Sequence, residues 1–189
     1  MRRPRFLLIL CVLLTVVVAW RAQGFAQSIK LSNLVVDNKE GRITARFGVE
    51  VAATQEVEQA LRSGQLLALQ CRATLSRRRD YFWNAGVAQA QTVSRLILSG
   101  DGEAYEVIHP GGRRENYRGR DLGVVMREAW GTMDLDLGPW DSLSRGNVYV
   151  LSLEVRLLRQ DVSAWLKNTL FFWNFDTIPP AEYKLEFSY

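Results

Sequence analysis

The single histidine, His109, is the first residue to test for chemistry. Serine–histidine catalysis needs that base held against a presented serine, and no G-x-S-x-G elbow exists to present one. His109 precedes Pro110-Gly111-Gly112, a turn sequence, and so reads as a surface residue. Zinc needs several Cys or His ligands, and the body of the chain offers Cys71 and His109 alone. Cys71 lies in an alternating apolar row with no basic neighbour on that face, the setting of an inert buried thiol. Asp134, Asp136 and Asp141 are the only carboxylate group with spacing of interest. Paired acids could bind calcium or hydrolyse a glycoside. However, Asp134-Leu135-Asp136-Leu137 alternates acid and apolar, which in a strand turns both acids to water, and the D-x-[DN]-x-[DN]-G calcium pattern is missing. The expectation is therefore no catalytic residue, no cofactor and no metal, with a hydrolase using Asp134 and Asp136 as an outside alternative.

Two arginine groups and one aromatic run suit binding better than catalysis. Arg77, Arg78 and Arg79 abut Tyr81-Phe82-Trp83, and Arg113, Arg114, Arg118 and Arg120 surround Asn116 and Tyr117. Guanidinium forks hold phosphates and carboxylates well, but Asp80, Glu115 and Asp121 could simply neutralise them as solvated loops. Trp165, Leu166, Leu170, Phe171, Phe172, Trp173 and Phe175 fall close together. Such a run is either core or a contact surface. The expected interaction surface is Trp165, Phe171, Phe172, Trp173, Arg77, Arg78 and Arg79.

The elements that must position these residues are mostly strands. Ile43, Ala45, Phe47, Val49 and Val51 share one face of a strand over Arg42–Val51. Ile29–Val36 precedes it, with a phase slip at Asn33-Leu34 that predicts a bulge, and Asp37–Gly41 predicts a hairpin turn. Further strands are expected from Leu67 to Ser76, with a run-on through Arg77–Arg79 toward Trp83, and at Thr92–Leu98, Ala104–Ile108, Asn147–Arg159 and Glu182–Tyr189. One short helix is expected to start at a Thr54 cap and end at Gly64; a second runs Leu122–Trp130 between an Asp121 cap and Gly131. About seven strands, two helices and no steady β-α-β rhythm predict a mainly β fold, an antiparallel two-sheet β-sandwich with two short helices.

The beginning of the chain sets the compartment. Arg2, Arg3 and Arg5 precede Phe6–Trp20, which carries no charge, and small residues follow at Ala22, Gly24 and Ala26. That order is a secretory signal. At ~1.5 Å per residue the apolar stretch rises about 22 Å, short of the ~30 Å hydrocarbon layer. Residues 1–26 are read as a signal peptide, or as an N-terminal membrane anchor through residues 6–20, and residues 27–189 as one domain. Cys11 follows Leu10, not the small residue that lipidation requires. The four leader arginines, Arg2, Arg3, Arg5 and Arg21, carry the whole excess of 24 basic over 20 acidic residues. The remainder is net neutral, which argues against nucleic acid as a partner. With Cys11 in the leader, Cys71 has no internal disulfide partner.

Four stretches taken in order resemble one family: Ala60–Leu66; Leu75–Arg79 leading to Tyr81-Phe82-Trp83; Arg95-Leu96 followed by Ala104–Val107; and Tyr149–Leu157 followed by Phe171–Thr177 and Tyr183–Tyr189. The set is similar to the bacterial domain-of-unknown-function family DUF4390, over nearly all of the chain after the leader. Gly64-Gln65-Leu66 departs from the glycine-isoleucine-proline turn expected after the first helix. The resemblance implies an exported bacterial protein with no assigned activity, and it hints at envelope signalling. The expectation is a periplasmic or secreted, non-enzymatic protein-interaction module whose partner is another envelope protein, with contact to the membrane surface as an added possibility. A carrier for a lipid or other apolar ligand is the alternative. The residues set no oligomeric state.

Overall fold

The computed structural model describes residues 28–80, 83–160 and 176–189. Its first hairpin joins β1 (Ile29–Lys39) to β2 (Arg42–Val51) through Glu40-Gly41. Both turn residues have positive φ, 54° and 76°. This is the handedness a two-residue hairpin needs to match strand twist, and Asn38 Oδ1 accepts the Gly41 N–H at 2.8 Å. The expected bulge is present: the register shifts between Ser32 and Val35, and Asn33 takes φ 53°.

Helix α1 (Thr54–Arg62) follows. Thr54 does not cap it. The cap position is Ala53, with no side-chain acceptor, so Thr54 is the first helical residue. Its end is as expected: Gly64 at φ 80° lets Gly64 N–H reach Leu61 O and Gln65 N–H reach Ala60 O, the paired bonds of a Schellman turn. Helix α2 (Leu122–Trp130) starts at Asp121, whose Oδ1 accepts from Gly123 N–H at 2.8 Å and Val124 N–H at 3.3 Å.

Two antiparallel sheets result, so the mainly β two-sheet reading holds. The smaller has the order β1-β2-β7, with β7 at Met133–Pro139. The larger is built from β3 (Leu66–Arg77), β4 (Ala85–Leu98), β5 (Ala104–Ile108), β6 (Arg114–Arg118), β8 (Val148–Gln160) and β9 (Asp176–Ser188), in the order β6-β5-β4-β3-β8-β9. Leu67, Leu69, Cys71, Ala73 and Leu75 of β3, with Leu151, Leu153, Val155 and Leu157 of β8, join Ile43, Ala45, Phe47 and Val49 of β2 in one buried cluster. Each fully buried Leu or Val contributes roughly 1.5–3 kcal/mol. Every core residue among those described lies between Ile29 and Ala181. The sheets are also tied at one side by Tyr183, whose hydroxyl accepts from Leu31 N–H at 3.0 Å and donates to Ile29 O at 3.2 Å.

Helix α2 packs against β2. A Cβ on Gly48 would lie 2.5 Å from Gly131 O and 2.5 Å from Ser32 Oγ, so only glycine admits the helix end this close. The Trp130 indole N–H crosses to β4 and donates to Ser94 Oγ at 2.9 Å, with both residues 0% exposed.

Several boundaries differ from the sequence reading. The run-on of β3 stops at Arg77, although Arg78 N–H still donates to Val148 O. Strand β4 starts earlier, at Ala85, because its small and polar first half is held by the ladder to β3 and not by its own apolar pattern. Strand β6 was read as an arginine-rich loop; pairing with β5 makes it a strand. Strand β9 starts at Asp176 and passes through Pro179-Pro180, which an edge strand tolerates, with register shifts opposite Leu157.

Candidate functional site

Asp134 and Asp136, the two acids of the hydrolase alternative, are held in ion pairs on a wet face. Asp134 and Asp136 project outward from β7, as the alternation required, and sit across β2 from its basic residues. Lys39 Nζ lies 3.1 Å from Asp134 Oδ2, and Arg42 Nε lies 2.5 Å from Asp136 Oδ2. The Arg42 hydrogen bond, aided by the Gly138 N–H, holds the Asp136 carboxyl below the usual carboxylate range. Asp136 is thus a fixed anion at neutral pH, the wrong state for a general acid.

Cys71 is 0% exposed, and burial pushes its thiol up to about 12. A thiol held protonated is a poor nucleophile.

His109 is less exposed than its turn sequence implies: 13% of its side chain is open. Its Nε2 approaches Glu115 Oε2 at 3.1 Å, a charge-pair distance without hydrogen-bond alignment. The same carboxylate accepts the Tyr117 hydroxyl at 2.7 Å and is approached by Arg113 at 3.2 Å. Tyr117 first, then His109, holds the Glu115 carboxyl below its ordinary range. Burial, with the adjoining Glu115, pushes the Tyr117 phenol up to about 12. Glu115 thus draws Tyr117, His109 and Arg113 together around the β5–β6 turn, with His109 Nε2 left without a hydrogen bond among the described residues.

The second arginine group is likewise matched: Arg114 pairs with Glu106, Arg118 with Glu103, and Arg120 with Glu128. The first group is different. Arg78 pairs with Glu186 at 2.9 Å, while Arg77 and Arg79 have no carboxylate partner among the described residues. Close by in the β3–β4 connection, Trp83 is 95% exposed. Trp165, Phe171, Phe172 and Trp173 lie outside the described residues.

A groove that sequence periodicity did not reveal opens where β2 ends, α1 begins and α2 passes. It measures about 360 Å³ and is lined by Lys30, Val49, Glu50, Val51, Ala52, Thr54, Gly123, Met126 and Arg127. Val49, Val51 and Met126 form its apolar floor; Lys30, Glu50 and Arg127 are exposed at its rim. The N-terminus of α1, without a side-chain cap, enters the same groove beside Lys30 and Arg127, its partial positive charge offset by Glu56 in the first turn. In the sequence, Met126 is one residue of a helical stripe and Arg127 its polar neighbour. Only the Gly48–Gly131 approach sets them beside the end of β2.

A family model described as a domain of unknown function, DUF4390, matches residues 26–184. No curated protein matches the chain.

Proposed function

The chain belongs to the DUF4390 family, and from that premise we propose that it is a non-enzymatic binding module of the bacterial cell envelope, exported by its leader, that holds a segment of another envelope protein. The groove between β2, α1 and α2 carries this reading. It has the anatomy of a protein contact, an apolar floor inside a charged rim. The rim sets Lys30 and Arg127 against Glu50, so the matching segment is acidic with apolar anchors. Location outside the cytoplasm rests on Arg2, Arg3 and Arg5 ahead of the uncharged Phe6–Trp20. No helix among the described residues is long and apolar enough to cross a membrane. A role in envelope signalling is an extension of the same reading.

The carrier alternative has less support. The described grooves open at the surface, and the inward side chains of β2, β3 and β8 fill the space between the sheets. The test is photocrosslinking in intact cells, with a crosslinking amino acid at Glu50 on the groove rim and a control at Gln91 on the outer face of the large sheet. Crosslinks to a discrete protein are expected from Glu50 and not from Gln91, and Arg127→Glu should reduce them at least tenfold. Equal labelling from both positions would defeat the reading.

A further inference from the structure

The β3–β4 tip contributes none of the residues that line the groove. Trp83 is 95% exposed there, a large apolar ring left in water on a body that otherwise buries its tryptophan at position 130 completely. Arg77 and Arg79 precede it in the same stretch of chain and, like Arg95 and Arg127 elsewhere, have no carboxylate partner among the described residues, whereas Arg42, Arg46, Arg62, Arg114, Arg118 and Arg120 are all paired. Strand register brings in a third arginine with no carboxylate partner among the described residues. Arg77 is opposite Tyr149 and Arg78 N–H donates to Val148 O, so the turn that precedes β8, which carries exposed Arg145, shares this end of the sheet. Asp80 is the acid within the loop, and Glu186 is occupied by Arg78.

We propose that this end of the sheet is a docking surface for an anionic lipid bilayer, with Trp83 seated at the headgroup boundary and Arg77, Arg79 and Arg145 on lipid phosphates. Tryptophan settles where one side of its ring is apolar and its N–H stays wet, which is the bilayer interface. Guanidinium forks match phosphate oxygens, and the attraction is drawn from the negative surface potential of the leaflet. A protein pocket would more often take a tryptophan already packed at its base, but the described residues leave this one 95% exposed. Leaving out residues 1–26 keeps binding through the tip apart from any membrane affinity of the leader.

Residues 27–189 should co-sediment with vesicles of phosphatidylglycerol and phosphatidylcholine, and at least tenfold less with phosphatidylcholine alone. Arg77→Gln/Arg79→Gln should weaken partitioning about twentyfold, near fivefold for each arginine, and 0.5 M salt should weaken it further. Trp83→Ala should weaken it about tenfold with the thermal melt unchanged, while Arg127→Glu in the groove leaves it as it was. Partitioning that ignores both tip variants, or that is equal on neutral vesicles, would overturn the proposal. So would a tip that binds an acidic protein and no vesicle.

Discussion

Removing the Ser94 hydroxyl should cost this protein much more than the loss of one oxygen suggests. Trp130 Nε1–H donates to Ser94 Oγ at 2.9 Å, and neither residue has any exposed surface. In Ser94→Ala the indole N–H keeps its place, because the helix end is pinned at Gly48, and water has no path to replace the acceptor. A buried donor left unpaired costs about 1–3 kcal/mol. Taking about 2 kcal/mol, and ~2–4 °C per kcal/mol for a chain of this size, the melting temperature should fall about 4–8 °C. Trp130→Phe removes the donor but also leaves a void and an idle hydroxyl. The double variant should therefore be less damaged than the two single losses combined, by about 1 kcal/mol. Denaturant unfolding followed by circular dichroism gives all four corners of the cycle. A Ser94→Ala melt within about 1 °C of the parent, or single effects that add within ~0.3–0.5 kcal/mol, would refute the reasoning. Hydrogen exchange offers a second reading: Ser94→Ala should loosen α2, and with it the groove wall formed by Met126 and Arg127.

Two further outcomes test the chemistry assigned to Cys71, Asp134 and Asp136. The folded protein should resist thiol alkylation at pH 8 and label only in denaturant, because burial holds the Cys71 thiol near 12. Its folded value is raised, so its contribution to stability is complete below the unfolded value of ~8.5 and is lost as pH climbs toward about 12. Alkaline unfolding profiles of the parent and Cys71→Ala should diverge in that window. Asp134→Asn and Asp136→Asn should each cost under about 1 kcal/mol at neutral pH, since exposed ion pairs contribute little, and neither should abolish function. The folded value of Asp136 is depressed, so its contribution is present above the unfolded value of ~3.9 and disappears as pH falls through the lower folded one. Thermal melts of the parent and Asp136→Asn should converge in acid. Loss of function in either Asn variant would revive the hydrolase alternative.

What the residues settle by themselves is local. A period of two over Arg42–Val51 and Asn147–Arg159 picks out the inward face, because neighbouring side chains on a strand point opposite ways, although Thr44 and Gly48 on the other face of β2 are buried as well. The same rule placed Asp134 and Asp136 in water and Cys71 in the core. Asp121 and Gly64 act within one turn of chain, so a helix start and a helix end were legible there. Thr54 had the right chemistry for a cap but stood one place too late, since capping depends on backbone geometry that residue type does not fix. Tertiary structure decided the rest, for want of any local signal. Pairing with β3 and β5 extended β4 and created β6 out of segments whose own patterns are weak, because ladder hydrogen bonds come from a partner distant in sequence. The groove joins β2, α1 and α2 across a glycine contact, so no single stretch of chain contains it. Whether an arginine is free also depends on which carboxylate folding sets beside it: Glu186 reaches Arg78 across β8 and leaves Arg77 and Arg79 unmatched.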